Sequence, residues 1–369
     1  MTKRKMVSLV LSVLLIIAVP LTGCGQKSEN KTDAQTTKKA IKINIGGGQA
    51  VETTPWLKDF TLFFIPEVTK RAAEIGYQVD FQQAWGGSVV KSAESLEAVQ
   101  NRILDISFIL VSAYASQLPM HSFSYYLPFG PDDPIMVAKA AEKVMNDIPV
   151  MKDAFKQYKQ KYLCFTTLQS YGLASKTSIT TVAGFKGKKV GGLPTLHYYP
   201  QAINAVPVAT DASNMYTNLQ TGVIDANIML PQSVLGAKVY EVAPYFIQVP
   251  IGSCIPVFFT INQEFFDGLP KEIQAIIEKV SVEYNTHAAT VSKSSMQDDL
   301  KKWQDNKGTL VPFPAAETEK WAAAISGDFI VTRLKTANEK GLPGKQIMET
   351  YIKALQDAGF KLPREWKLQ

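Results

Sequence analysis

Short stretches of period two alternate along this chain with longer stretches of period three to four, the pattern of strands and helices taking turns. Ile41-Lys42-Ile43-Asn44-Ile45 alternates as a strand and runs into Gly46-Gly47-Gly48; a helix is expected from about Pro55 to Ile75, and Tyr77–Ala84 is the next strand. Ser92 and Ser95 open a helix that ends near Arg102, after which Asp105–Val111 is a continuous apolar strand of the kind buried inside parallel sheets. The stretch Gly184 to Pro231 repeats this order. It predicts a tight turn, a strand at Lys188–Leu193, an aromatic loop at Leu196–Tyr199 and a strand near Val206–Ala209. A helix follows, beginning after Asp211 or Ser213 and ending at Gly222, and then a strand at Val223–Leu230.

Two segments resemble each other: SAESLEAVQNRILDISFI at 92–109 and DASNMYTNLQTGVIDANIML at 211–230. Each reads as a capped amphipathic helix, a tight turn, an apolar pair, an Asp and a strand, which suggests two lobes built alike. A further helix is expected from about Pro134 to Met145 and a strand at Val257–Ile261. From Pro270 to Lys307 only Pro270 itself interrupts a helical pattern, and at 1.5 Å per residue a single helix there would be ~55 Å long. Such a helix would brace both lobes, with helices at Ala315–Lys340 and Lys345–Ala358 packing beside it. The expected boundaries are 40–168 with 255–294 for the first lobe, and 169–254 with 295–369 for the second.

The start of the chain changes the picture of where this fold works. Lys3, Arg4 and Lys5 precede an uncharged run from Met6 to Leu21, a basic region followed by an apolar region too short for an ordinary membrane span. Residues 1–23 therefore read as an export signal. The run ends in Leu21-Thr22-Gly23-Cys24, which resembles the lipobox of bacterial lipoproteins and implies that Cys24 carries lipid, buried at about 0.8 kcal/mol per CH₂. Residues 24–39 hold nothing apolar enough for a core and read as a tether on the extracytoplasmic face of the cell membrane. Seven of the 39 basic residues and two of the 33 acids lie at or before Lys39, so the remainder is nearly balanced, 32 against 31. The net charge of +6 belongs mostly to the leader and tether, and nucleic acid is not an expected partner. Cys164 and Cys254 lie in apolar runs; export permits a disulfide between them, and buried free thiols are the alternative.

Motifs for chemistry are missing. GGGQAV and GFKGKKVGG match neither phosphate-cradling pattern, and no G-x-S-x-G elbow exists. His121, His197 and His287 are isolated from one another, so no metal or cofactor is expected. Asp132-Asp133 and Asp298-Asp299 fit a helix cap and a solvated helix face better than acid–base work. The chain reads as a non-enzyme.

Export, a lipid anchor, two α/β lobes and a bracing helix together resemble an extracytoplasmic solute-binding protein, specifically the substrate-binding subunit of a tripartite ATP-independent periplasmic (TRAP) transporter of the DctP type. The resemblance is carried by WGGSVVKSAESLEAVQNRILDISFI at 85–109, SYYLPFGP at 124–131, FKGKKVGG at 185–192, YTNLQTGVIDA at 216–226 and FTINQEFFDGLPKEIQAIIEKVSVE at 259–283. It implies a two-lobed periplasmic-binding-protein-like α/β fold with a hinge, closing on a small organic solute and delivering it to the TRAP membrane permease subunits. A lipid-anchored sensor feeding a signalling partner would use the same closure. Neighbouring permease or histidine-kinase genes would separate the two.

In the family, an arginine following K-G-x-K-[hydrophobic] forks onto a ligand carboxylate. Here Lys186-Gly187-Lys188-Lys189-Val190 is followed by Gly191. Other family positions fall at Val111-Ser112-Ala113-Tyr114, near Tyr171, and at Met229. The resemblance thus implies a pocket lined by Trp85, Tyr114, Tyr171, Tyr198 and Phe259, with polar contacts from Gln49, Glu52 and Ser112. Such a lining suits a neutral, aromatic or amine solute better than a dicarboxylate. Lys188 and Lys189 could still offer a point charge to a monocarboxylate.

Overall fold

A computed structural model describes residues 39–369; the leader, Cys24 and the tether up to Lys38 lie outside the described residues. Strands β1 (Lys39–Gly46), β2 (Tyr77–Ala84) and β3 (Ile106–Leu110) alternate with helices α1 (Pro55–Glu74) and α2 (Ser95–Gln100), and α3 (Pro134–Asp147) and α4 (Val150–Asp153) lead to β4 (Gln160–Thr166). The chain then enters a second sheet through β5 (Tyr171–Ser175), β6 (Lys189–Gly192), α5 (Tyr198–Ala202), β7 (Val206–Ala209), α6 (Met215–Thr221), β8 (Ala226–Met229), α7 (Pro231–Gly236) and β9 (Tyr245–Gly252). It returns as β10 (Val257–Asn262), α8 (Gln263–Asp267) and the long α9 (Lys271–Asp305), then adds β11 (Thr309–Pro312), α10 (Ala315–Ala324), α11 (Phe329–Glu339) and α12 (Gly344–Asp357). The first sheet has strand order β2-β1-β3-β10-β4 and the second β11-β9-β5-β8-β6-β7. Between the two sheets the chain therefore passes three times, at 167–170, at 253–256 and along α9.

The repeat seen in the sequence is a repeat of structure. β2-β1-β3 and β7-β6-β8 are parallel triplets in the same order. In the first, Arg102 adopts φ 59 after α2; in the second, Gly222 adopts φ 80 after α6. The Asp three residues later closes each turn in the same way. Asp105 Oδ2 accepts from the Asn44 N–H and Asp225 Oδ2 from the Lys189 N–H, both at 2.8 Å, while the Asn44 and Lys189 carbonyls accept the two aspartates' own N–H groups. Each pair pins the turn to the triplet's middle strand.

The inner strands β3 and β10 of the first sheet and β5 and β8 of the second are covered on both faces, while the edge strands β2 and β7 are largely exposed. Ile43 and Ile45 of β1 are fully buried beneath Leu57, Phe60, Phe64 and Val68, which recur at helical spacing on α1. The 35 residues of α9 contact α1, α3 and β4 in the first lobe and α7 and β11 in the second. The C-terminal helices depart from expectation. The single helix expected over Ala315–Lys340 is split at Ser326-Gly327, and α12 packs along α3 of the first lobe, not beside α9 or on the second lobe. Its buried stripe of Ile347, Met348, Tyr351 and Leu355 joins Val137, Ala141 and Met145 of α3 in one core. That core continues without a break into the second lobe. Cys164 and Cys254 are free and buried. No helix among the described residues is long and apolar enough to cross a membrane.

Candidate functional site

The carboxyl ends of β1, β2 and β3 in one lobe and of β6, β7 and β8 in the other carry most of the residues singled out by sequence, as expected for open α/β sheets. At the end of β6, the segment through Leu196 turns Tyr198 and Tyr199 toward the crossing between lobes. This expected loop is helical, forming a 3₁₀ turn at Pro194–Leu196 and then α5. Together with Ser124, Tyr125, Tyr171 and Cys254 these tyrosines line a narrow crevice of about 10 Å³ between the lobes. The Tyr125 and Tyr171 hydroxyls lie 3.4 Å apart. Tyr198 packs face-on against Tyr199, ring centroids 4.3 Å apart.

Tyr199 is one of the ties between the lobes, beside Ser170 to Asp132 and the Ser253 N–H to the Pro131 carbonyl. Its hydroxyl accepts from the Phe129 N–H at 2.8 Å and donates to the Ile251 carbonyl at 3.2 Å, while the Trp321 indole donates to its carbonyl at 2.8 Å. Phe129 itself sits at φ 52, a conformation costly for a bulky residue and held here by the packing of Tyr199 and Trp321 around its ring. Burial pushes the Tyr125, Tyr171 and Tyr198 hydroxyls well above their ordinary range and the Cys254 thiol up to about 12. All four stay protonated at neutral pH. The crevice can stack rings and exchange hydrogen bonds, but it presents no thiolate or other activated nucleophile.

The remaining candidates scatter. Trp85 is half-buried, stacked on Phe108 at 6.3 Å, with its indole N–H donating to Gln83 at 2.9 Å. Gln49 is half-buried and accepts from the Gly86 N–H through its carbonyl; Glu52 and Ser112 are exposed. Tyr114 and Phe259, expected in the pocket wall, are core residues. The Tyr114 hydroxyl accepts from the Leu96 N–H at 3.0 Å and donates to Glu97 at 3.2 Å, and Phe259 stacks on Phe60 with centroids 3.7 Å apart. Met229 is buried with Met215 and Leu219 beneath α6. Lys188 and Lys189 stand at the amino end of β6, away from the crevice, and Lys189 is exposed.

Gly191 is closed off from within. A Cβ built there would lie 2.2 Å from Asn227 Oδ1, 2.7 Å from the Ile224 side chain and 2.9 Å from Thr210 Oγ1. Its pseudo-symmetric counterpart is Gly46, which pairs with Ser107 as Gly191 pairs with Asn227, and which would bring a Cβ to 2.3 Å from the Ala84 carbonyl. The chain thus lacks the arginine and also the space in which its side chain would begin.

A second space between the lobes, about 350 Å³, was not legible in the sequence. Trp56 and Asp59 of α1, Gln232 of α7, and Ser292, Ser295 and Asp299 of α9 line it. Asp59 accepts from His287 at 2.9 Å, and Asp299 accepts from the buried Gln169 amide at 2.7 Å, whose oxygen in turn accepts from the Gln232 N–H. Burial raises both carboxyls. Asp299, expected on a solvated face, is thereby part of the hinge. Asp133 does cap a helix, accepting from the Ile135 N–H at the start of α3. No group of His, Cys, Asp and Glu among the described residues could hold a metal ion.

Two α/β sheets joined by three passages of the chain, with aromatic and polar side chains facing one another between the lobes, define the two-lobed class of periplasmic solute-binding proteins. Within that class the chain belongs to bacterial extracellular solute-binding protein family 7, the DctP family, which it matches over residues 48–329. It is 27% identical over 157 residues to the C4-dicarboxylate-binding periplasmic protein DctP of Rhodobacter capsulatus, covering 42% of this chain and 47%, about half, of that relative. Among solved structures, a TRAP periplasmic solute-binding protein from Desulfovibrio salexigens in an open complex superimposes with a TM-score of 0.78 at 16% identity, covering 86% of this chain and 97% of that one. A marine metagenome TRAP solute-binding protein specific for aromatic acid ligands, in complex with 3-hydroxybenzoate, superimposes with a TM-score of 0.72 at 17% identity, covering 87% and 100%. The family is one of binding proteins, not enzymes.

Proposed function

We propose that this protein is the extracytoplasmic receptor of a TRAP transporter, tethered to the membrane by lipid on Cys24, that captures one small solute between its lobes and delivers it to the permease subunits. The solute is neutral, aromatic or amine in character, not a C4-dicarboxylate. The observation that carries the ligand reading is Gly191, which leaves β6 with no guanidinium and where Asn227 Oδ1 stands only 2.2 Å from the position a Cβ would take. In place of paired cations, the crevice offers tyrosine faces and hydroxyls, which favour rings and penalise a second unpaired carboxylate. The fold carries such ligands elsewhere: the metagenome protein binds 3-hydroxybenzoate.

Protein purified from its native host, with any co-purified ligand identified by mass, tests this directly. A thermal-shift panel then compares succinate, fumarate and malate with aromatic and amine solutes. Stabilisation by the aromatic or amine set is expected. Stabilisation by C4-dicarboxylates alone would refute the ligand reading.

A further inference from the structure

The described chain has four arginines, and three are occupied. Arg71 is bonded to Glu67 and Glu283 at 2.9 and 2.6 Å, Arg102 lies 3.7 Å from Asp105, and Arg364 donates to the Ala322 and Ile325 carbonyls at 3.1 and 2.9 Å. Arg333, exposed on α11, has no acidic partner and no hydrogen bond among the described residues. The acids at the two ends of its helix are already paired, Asp328 with Lys367 and Glu339 with Lys335. Its guanidinium is instead parked on aromatic faces, 5.1 Å from the centroid of Phe329 and 5.9 Å from that of Tyr198.

Those contacts set the free cation against a wall of the crevice, though not within its lining. Tyr198 is one of its walls, and Phe329 packs against Tyr198 with centroids 4.2 Å apart. α11 also packs against residues 123–126 of the first lobe, so it touches both lobes at this point. The charge of Arg333 is felt at the hydroxyls of both Tyr126 and Tyr198, where it favours the ionised form against burial. Gly191 has no room for a side chain, and Lys188 and Lys189 stand at the far end of β6 from these tyrosines.

We propose that Arg333 is a specificity-determining residue of the receptor and that its ligand is an aryl monocarboxylate, the ring held among Tyr125, Tyr171 and Tyr198 and the single carboxylate forked by the guanidinium. A planar guanidinium resting on rings is weakly hydrated and preorganised for a bidentate carboxylate. One free guanidinium serves one carboxylate; the second carboxylate of a diacid would be buried among tyrosines without a cation. The crevice is too narrow for a ring as it stands, so binding requires Tyr198 to part from Phe329, which couples ligand entry to movement of α11. The inference rests on the receptor reading above.

Calorimetric titration of benzoate, benzamide and benzylamine into the mature wild-type chain, Arg333→Gln and Arg333→Lys tests it. Benzoate is expected to bind the wild type best, Arg333→Gln to weaken benzoate by roughly 10- to 100-fold while leaving benzamide little changed, and Arg333→Lys to restore part of the loss. Arg333 is exposed, so neither substitution threatens the fold. Unchanged benzoate affinity in Arg333→Gln, or wild-type protein that binds benzamide or benzylamine as well as benzoate, overturns the proposal and leaves the receptor reading standing. Binding of a C4-dicarboxylate with no response to any of the three aromatic solutes overturns the aryl assignment and the ligand reading together.

Discussion

Substituting Gly191 by alanine places one methyl group where the structure has no room for it. Three atoms from two stretches of chain, Asn227 Oδ1 and Ile224 Cδ1 at the entry to β8 and Thr210 Oγ1 just after β7, lie under 3 Å from that Cβ, the nearest at 2.2 Å. Relief must come from Asn227, whose amide is fully buried and anchored through Nδ2 to the Ile228 carbonyl at 3.3 Å and to Met215 sulfur at 3.6 Å. Overpacking of this kind costs about 1–3 kcal/mol. The loss of glycine's freedom in the unfolded chain returns about 0.4–1 kcal/mol. The net expectation is a destabilisation of about 1–2 kcal/mol, a fall of roughly 1–3 °C in Tm for a body of this size. Asn227 Oδ1 has no hydrogen-bond partner, so removing it forfeits no bond at that atom. Combining Gly191→Ala with Asn227→Ala should therefore cost less than the sum of the two single changes, with a coupling of at least about 1 kcal/mol. Urea denaturation of residues 39–369 measures all four corners of the cycle. Additive losses, or a Gly191→Ala variant as stable as the wild type, would refute the steric argument. Gly191→Arg carries the argument to function: it should lose stability and gain no affinity for succinate or malate.

Two further perturbations probe other parts of the molecule. His121 is fully enclosed and donates from Nε2 to the Met151 carbonyl at 2.7 Å; burial lowers its pKa from 6.5 to about 4, so the folded state resists the proton that the unfolded chain accepts. Stability should be full above pH 6.5 and fall by about 3 kcal/mol as pH drops from there to 4; His121→Gln should flatten that part of the stability profile, and parallel curves for variant and wild type would refute the assignment. Tyr199→Phe removes the hydroxyl that joins Phe129 to Ile251 and strands a buried N–H, at a cost of about 1–3 kcal/mol by denaturation, with faster amide exchange expected on both sides of the crossing.

Local pattern carried the βαβ units a long way. The turn of each repeat was legible because most of it depends on neighbours in sequence: a short helix, one residue in the left-handed region and an Asp three positions on; the expected side-chain caps of these helices do not form, and the bond from each Asp to the middle strand spans 61 and 36 residues. The helix over 271–305 was legible for the same reason, since nothing along it except its first residue's predecessor, Pro270, breaks a helical pattern. The break at Ser326-Gly327 was written in the sequence too, and the continuous helix expected there passed over it. The site was less legible. Tyr114 and Phe259 look as suitable for a pocket as Tyr171 and Tyr198 do, because in a sheet covered on both faces alternation separates the two faces without saying which side chains reach the cleft.

By itself, then, the sequence determined the α/β order, the doubled unit, the bracing helix and the absence of an arginine at position 191. It could do so because each of these is a property of residues within about one turn or one strand of each other. Only the tertiary structure decided that α12 covers α3, that Asp299 belongs to the hinge, and that Asn227 fills the space beside Gly191. It alone brought Arg333, more than 100 residues further along the chain, to the edge of Tyr198. These depend on which distant apolar faces find one another, and a burial term proportional to area, with no direction of its own, leaves that choice to the packing of the whole chain.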